Sequence, residues 1–440
     1  MREPLRLGLA GLGTVGASVF RLLESHAEAL AVRCGRPVRV TAVAARERGR
    51  DRGVDLGTVA WFDDPAAMAE SDDIDVLVEL IGGDSGPAER AVTAALEGGR
   101  PVVTANKALI ARHGLRLAKL AEHKGVAFNF EAAVAGGIPV IKTLRESLAG
   151  NEIGRVYGIL NGTCNYILTR MEKEKLSFDT CLREAQRLGY AEADPSFDIE
   201  GYDTAHKLAI LTSLAFGTEI DAAAIYVEGI TAIEPADIEA ADELGYRIKL
   251  LGVARRTATG IEQRVHPTMV PKSSAIARID GVLNAVAVDG DFVGEVILAG
   301  PGAGGAATAS AVVADIADIA RGAALPVFGR PASALAPYRK AEIEAHQGGY
   351  YIRLSVYDRP GAFAGLAGRM AEHGISLESI VQRRRAPSAE ATATSVPDAP
   401  QPVVLITYAT TEADVRAALA AIGRDGHIAA TPRVIRIEEL

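Results

Sequence analysis

Short apolar runs separated by longer amphipathic stretches mark the first part of the chain. L-R-L-G-L-A (5–10) is followed by G-L-G-T-V-G and then by A-S-V-F-R-L-L-E-S-H, whose apolar positions recur at helical spacing. V-R-V-T-A-V-A-A (38–45) and I-D-V-L-V-E-L-I (74–81) are nearly continuous apolar runs. Runs of that kind suit strands of a parallel sheet buried on both faces. A helix to about Gly99 follows, then strands at P-V-V-T-A-N-K (101–107) and V-A-F-N-F-E-A-A-V (126–134). Strands alternating with helices in this way predict a Rossmann-type doubly wound parallel sheet.

Beyond it the pattern changes. Residues 137–148 read as a helix and 156–160 as a strand, and N-G-T-C-N-Y (161–166) lies at a strand-to-helix junction. From about 225 to 300 the pattern is short strands with one helix at 236–250, which suits a mixed sheet and a dimer surface. G-P-G-A-G-G (300–305) opens a helix at 306–321. From Tyr350 the order is βαββαβ, interrupted by a Pro/Ser/Ala/Thr-rich stretch (386–402) that reads as a loose hairpin connection. The expected division is a dinucleotide-binding domain at 1–135, a mixed α+β catalytic and dimerisation domain at 136–325, a linker at 326–348 and a C-terminal module at 349–440.

Composition narrows the functional classes. The net charge of −9 speaks against nucleic acid and membrane surfaces as partners. No stretch approaches the ~20 apolar residues of a membrane span, and the N-terminus does not resemble a signal peptide. The three cysteines are scattered, as are the eight histidines, so neither gives a metal-ligand spacing. A soluble cytoplasmic protein without a transition metal is expected.

Candidate chemistry begins at the glycine turn. Gly11 permits the tight turn, Gly13 lets the backbone approach a pyrophosphate and Gly16 lets the helix pack on the strand. With Leu12, Thr14 and Val15 they form the expected cofactor turn, whose free N–H groups hold phosphates. The second strand ends without the acid that would hold a ribose 2′-hydroxyl, and Arg46 follows. An arginine there pairs with a 2′-phosphate, which favours NADP(H), with NAD(H) as the second candidate. Gly83, Thr104, Lys107 and Gly302 lie where a parallel sheet and a glycine-rich helix start would face the cofactor. Cys164 reads mainly as a small buried residue and secondarily as a nucleophile. The most informative segment is 185–207, A-Q-R-L-G-Y-A-E-A-D-P-S-F-D-I-E-G-Y-D-T-A-H-K. It is an acid-rich loop feeding a helix on which Asp203 and Lys207, four apart, share a face.

That segment resembles the signature of homoserine dehydrogenases. The glycine fingerprint, T-A-N-K, E-A-A-V-A-G-G-I-P and N-G-T-C-N-Y resemble the same family and come in its order. The C-terminal βαββαβ, with its D-R-P-G-A-F-A turn, resembles a ferredoxin-like ACT domain. The resemblance implies reversible reduction of L-aspartate 4-semialdehyde to L-homoserine by NAD(P)H. It implies Lys207 as proton donor, Lys107 as electrostatic assistant, Asp203 as orienting group, and Glu192 and Asp198 in the substrate wall. It further implies a sodium or potassium ion on Glu131 and the carbonyls of Val134, Gly136 and Ile138, an L-threonine effector at the C-terminal module, and a homodimer or homotetramer. Two other readings stand beside it: a phosphorylating semialdehyde dehydrogenase using Cys164, and a non-catalytic amino-acid sensor.

Overall fold

The computed structural model describes residues 2–341, 347–382 and 400–438. Most of the proline- and serine-rich stretch at 386–402 lies outside the described residues.

Six strands form the first sheet: β1 (Leu5–Ala10), β2 (Val38–Ala44), β3 (Ala60–Phe62), β4 (Val76–Glu79), β5 (Val102–Thr104) and β6 (Phe128–Asn129). All pairs are parallel, in the order β3-β2-β1-β4-β5-β6. This is the order of dinucleotide-binding sheets, with the ligand crevice at the carboxyl ends of the strands where the order reverses. The apolar runs are the reason: Leu7, Leu9, Val76 and Val78 have no exposed surface.

The remaining strands are β7 (Ile153–Ile159), β8 (Tyr226–Val227), β9 (Tyr246–Arg256), β10 (Ile261–Pro271), β11 (Leu283–Gly290), β12 (Gly294–Pro301), β13 (Gln347–Tyr357), β14 (Leu377–Gln382), β15 (Pro400–Thr407), β16 (Thr410–Thr411) and β17 (Arg433–Ile437). They build one mixed sheet, in the order β12-β11-β7-β9-β10-β17-β13-β15-β14. The C-terminal module shows the expected βαββαβ order, its helices being Ala362–Glu372 and Glu412–Arg424. It is not free-standing, because β17 pairs with β10 in parallel and joins both parts into a single sheet. Beneath that junction Asp237, fully buried, accepts hydrogen bonds from the Tyr351 hydroxyl at 3.1 Å and Arg353 Nε at 2.7 Å.

Several boundaries differ from the sequence reading. The strand expected at 126–134 shortens to Phe128–Asn129, because Glu131 N turns to donate to Asp315 Oδ2 at 2.8 Å. The helix expected from 137 begins at Val140, after Pro139, and winds as a π-helix over Thr143–Ser147. The helix expected at 236–250 is Pro235–Glu243; Gly245, with φ 83°, ends it, and the rest is β9. The two central strands run for 11 residues each rather than being short. The segment expected as a linker packs down: Val327, Phe328, Ala332 and Leu335 are buried, and Ala332 N donates to the Glu122 carboxylate. The helix Gly305–Arg321 returns to the first sheet, where its apolar face joins the core of β1 and the helix Thr14–Ser25. Among the described residues, no helix is long and apolar enough to cross a membrane.

Candidate active site

A cleft of about 570 Å³ opens between the carboxyl ends of the parallel strands and the second sheet. The glycine turn forms its mouth. Gly11 has φ 104°, and a Cβ there would stand 2.6 Å from the Leu80 carbonyl. A Cβ on Gly16 would stand 2.2 Å from the Gly11 carbonyl, which is the close helix packing that residue permits. A Cβ on Gly13 would meet nothing within 4 Å, so this glycine keeps the backbone open toward a ligand. Leu12 is buried, Thr14 is exposed and Val15 lines the cleft. Gly305 starts the second helix end here, with no room for a Cβ between it and Ser18 Oγ at 2.6 Å. Unsatisfied N–H groups at two helix starts give this mouth the polarity that anionic phosphates need.

Glu79, at the end of β4 and fully buried, organises the adjoining wall. Its Oε1 accepts from Ile81 N and Gly82 N at 2.7 and 3.0 Å, and its Oε2 accepts from Thr104 Oγ1 at 2.5 Å. Thr104 is therefore beneath the wall rather than in it. Gly83 does not line the cleft; its carbonyl accepts from Asn106 Nδ2 at 2.6 Å. Asn106 Oδ1 caps the next helix through Leu109 N at 3.1 Å, which makes Lys107 the first residue of the helix Lys107–Lys124 and not a strand end. Arg46 is exposed beyond β2 and does not line the cleft.

The helix Tyr202–Phe216 carries the chemistry. Nearly every residue on it is buried, so it has no polar face to give its charges to water. Asp203 is 5% exposed and Lys207 9%. Lys207 Nζ donates to Asp203 Oδ2 at 2.7 Å and to the Leu160 carbonyl at 2.6 Å. Lys107 Nζ, at 35% side-chain exposure, lies 3.1 Å from Asp203 Oδ1. Burial alone would raise the Asp203 carboxyl, but the charges of Lys207 and Lys107 overcome it and hold the group well below the usual carboxylate range. Asp203 is thus held as an anion between two ammonium groups, with Asp198 as the second acid of the corner.

Asn161, which the sequence reading passed over, ties the acids together. Its Nδ2 donates to Asp198 Oδ1 at 2.8 Å and to Asp203 Oδ2 at 2.9 Å, while its Oδ1 caps the helix Gly162–Glu174 through Cys164 N at 2.8 Å. Its signal was present in the sequence, since Asn before Gly-Thr at a strand-to-helix junction is a typical N-cap. Thr163 Oγ1 donates to Asp198 Oδ2 at 3.1 Å and to the Tyr190 carbonyl at 2.7 Å. Burial, with Asp203 close by, raises the Asp198 carboxyl. Cys164 is fully buried and its Sγ donates to the Asp198 carbonyl at 3.2 Å. Burial beside these carboxylates pushes its thiol well up, the opposite of what a thiolate nucleophile needs. Glu192 is exposed and does not line the cleft; Gly189 and Tyr190 do.

The cleft floor is the turn 132–136. Ala135, with φ 55°, and Gly136, with φ 51°, are consecutive left-handed residues, and a non-glycine residue so placed is costly unless its surroundings fix it. Gly136 is pressed against Gly302, whose carbonyl would stand 2.5 Å from a Cβ on Gly136. Gly302, in turn, has no room for a Cβ beside Asn284. Under this floor the Glu131 oxygens accept from Ile141 N at 2.9 Å and Lys142 N at 2.8 Å. Burial and the neighbouring Asp315 push the Glu131 carboxyl up to about 7. The cleft therefore brings together Val15, Lys107, Gly136, Asp198, Asp203, Lys207 and Gly302 of the residues expected from the sequence.

A parallel dinucleotide-binding sheet whose crevice ends on a buried Asp–Lys pair joined by a half-buried second lysine defines a nicotinamide-dependent oxidoreductase. Comparison with known proteins makes the class specific. Residues 11–131 match the homoserine dehydrogenase NAD-binding domain, 139–317 the homoserine dehydrogenase domain and 350–423 the ACT domain. The chain is 45% identical to a homoserine dehydrogenase of Pseudomonas aeruginosa, covering 100% of both chains. It is 43% identical to one of Neisseria gonorrhoeae, over 100% of this chain and 99% of the relative. The crystal structure of a homoserine dehydrogenase from Thiobacillus denitrificans superimposes with a TM-score of 0.91 at 42% identity, covering 99% of this chain and 98% of that one. The chain belongs to the homoserine dehydrogenase family.

Proposed function

We propose that the chain interconverts L-aspartate 4-semialdehyde and L-homoserine, with the Lys107–Asp203–Lys207 group as its chemical centre. A bound nicotinamide supplies or receives the hydride. In the reductive direction negative charge grows on the aldehyde oxygen, and the ammonium groups of Lys107 and Lys207 stabilise it. Lys207 donates the proton that completes the alcohol, directly or through water. Asp203 holds both ammonium groups in place and stays ionised throughout. Asp198, fixed by Asn161 and Thr163, offers a carboxylate wall for the substrate ammonium; Glu192 reaches that role only if its exposed loop turns inward. The observation that carries this reading is Asp203, buried and shared between Lys207 at 2.7 Å and Lys107 at 3.1 Å in the cleft that the glycine fingerprint opens.

NADP(H) is the preferred cofactor in this reading, with NAD(H) also used. Its support is the exposed Arg46 two residues beyond β2 and the absence of an acid at the end of that strand. A homoserine dehydrogenase from a hyperthermophilic archaeon, 27% identical with a TM-score of 0.62 over 72% of this chain, was solved in complex with NADPH. A monovalent cation, sodium or potassium, fits beside Glu131 and the carbonyls of Val134, Gly136 and Ile138. Glu131 and Asp315 are buried close together with Lys142 shared between them, so a cation there would compensate their ionised forms. L-threonine is the proposed effector of the C-terminal module. There the helix Ala362–Glu372 starts behind Asp358-Arg359-Pro360-Gly361 with no side-chain cap. A homodimer or homotetramer in the cytoplasm completes the reading, supported by β12 and β14 ending the sheet among the described residues and by the exposed Ile380 on β14 and Val293 in the turn before β12.

The test is NADPH consumption with L-aspartate 4-semialdehyde in phosphate-free buffer. Turnover there supports the reading. Turnover of semialdehyde only with NADP⁺ and phosphate would move the assignment to the Cys164 chemistry, and nucleotide binding without turnover would move it to a sensor. Titrating L-threonine against the full-length enzyme tests the effector: an unchanged rate would remove it.

A further inference from the structure

The C-terminal module grips a segment that touches the catalytic loop. Arg436, on β17, lies 5.0 Å above the Tyr226 ring and is 6% exposed. It clamps Glu412 of its own module at 2.8 Å and reaches Glu228 Oε2 at 3.4 Å. Arg433 Nη1 lies 3.6 Å from Glu228 Oε1. Tyr226 belongs to β8, a two-residue strand on β10, and Glu228 follows it, with its N–H donating to the Val265 carbonyl at 2.8 Å.

The next residues run against the loop that carries the acids. Ile230 N donates to the Ile199 carbonyl at 2.9 Å. A Cβ on Gly229 would stand 2.3 Å from the Ile199 carbonyl and 2.6 Å from Glu200 Cα. One on Gly201 would meet Val265 and Val227 at 3.0 and 3.2 Å. Residues 199–201 are thus in backbone contact with 227–230, and they are flanked by Asp198 and Asp203. Closely packed backbones of this kind shift together rather than deform.

We infer that Glu228 is a positioning residue: held by Arg433 and Arg436 of the C-terminal module, it fixes residues 199–201 and so sets the placement of Asp198 and Asp203. This rests on the catalytic reading of Asp203 and Lys207. It gives the module a physical contact with the active site whatever ligand it takes.

The test uses the full-length protein with Glu228→Gln, which keeps the shape and removes the charge, and with Gly229→Ala, which drives a methyl into the 199–200 backbone. Amide hydrogen exchange over 196–205 reads the link, and kcat, KM and NADPH binding read its consequence. In both variants exchange over 196–205 is expected to rise at least about three-fold, as for a local opening. With it kcat should fall about ten-fold, the scale of a small misplacement of catalytic groups, while NADPH binding holds. A folded Glu228→Gln protein with unchanged exchange over 196–205 overturns the inference, whatever its kcat. Raised exchange with unchanged kcat upholds the link and instead overturns the catalytic reading of the two acids. If Gly229→Ala does not fold, Glu228→Gln decides alone.

Discussion

Two buried acidic groups lie on either side of the cleft floor, and burial acts on them with opposite results. Asp203 has two lysines for one carboxylate, and their charge defeats burial. Glu131 and Asp315 share one lysine between two carboxylates. Burial wins there, raising Glu131 to about 7 and Asp315 to about 6. The ratio of charges, not depth, decides which acid remains an anion. A permanent anion between ammonium groups can hold a proton donor in position. The under-compensated acid pair is where the proposed monovalent cation would add charge.

The largest effect is expected from removing the compensated acid. Asp203→Leu leaves the buried Lys207 without its partner and should cost about 3–5 kcal/mol of stability. The same change should lower kcat roughly 10³-fold, since the proton donor loses its orientation. Thermal unfolding and steady-state rates check both; a variant with near-native kcat would break the comparison.

The pH dependence of stability sharpens it. Glu131 has a folded value raised from 4.5 to about 7, so its contribution is full below 4.5 and is lost as pH rises through 7. Asp203 has a folded value depressed below 3.8, so its contribution is full above 3.8 and is lost as pH falls below it. Glu131→Gln should therefore flatten the decline in stability between about pH 4.5 and 7, removing a slope worth at most roughly 3–4 kcal/mol. Sodium or potassium should flatten that decline in the wild type as well, by binding the ionised form. Calorimetry at several pH values checks this. An unchanged slope in Glu131→Gln would remove Glu131 as its source.

Arg46→Ala should weaken NADPH by about ten-fold and NADH little, because only the 2′-phosphate loses a charged partner. Equal weakening of both would take Arg46 away from that phosphate. The smallest effect is expected from Cys164→Ser, which should keep most activity, since hydride transfer to a free aldehyde needs no thioester. Loss of turnover in a folded Cys164→Ser protein would restore the thiol reading.

Local chemistry was legible in the sequence and three-dimensional compensation was not. The fingerprint glycines could be assigned roles because a tight turn and a helix start impose them locally, and the structure gives Gly11, Gly13 and Gly16 those surroundings. The order of elements was legible for the same reason. The sequence showed Asp203 and Lys207 one turn apart, but not that the helix beneath them is buried all round, nor that Lys107 comes from another domain to share the carboxylate. Lys107 reads as a strand end in the sequence because the cap that starts its helix, Asn106, is a single residue. The sequence does not mark the end of the helix at Glu243, because Y-R-I-K-L carries a spacing that helix and strand both fit. The partnership of Glu131 and Asp315, 184 residues apart, leaves no local trace.

The central claim is that Lys207 supplies the proton while Asp203 and Lys107 hold the charge. Lys207→Met keeps the length of the side chain and removes its ammonium. NADPH affinity, followed by nucleotide fluorescence, should stay near that of the wild type. Oxidation of NADPH by L-aspartate 4-semialdehyde in the same sample should fall by about 10²–10⁴-fold, the range for loss of a proton-transfer group. A folded Lys207→Met protein that binds NADPH and keeps more than about a tenth of the wild-type kcat would contradict the account on that same scale.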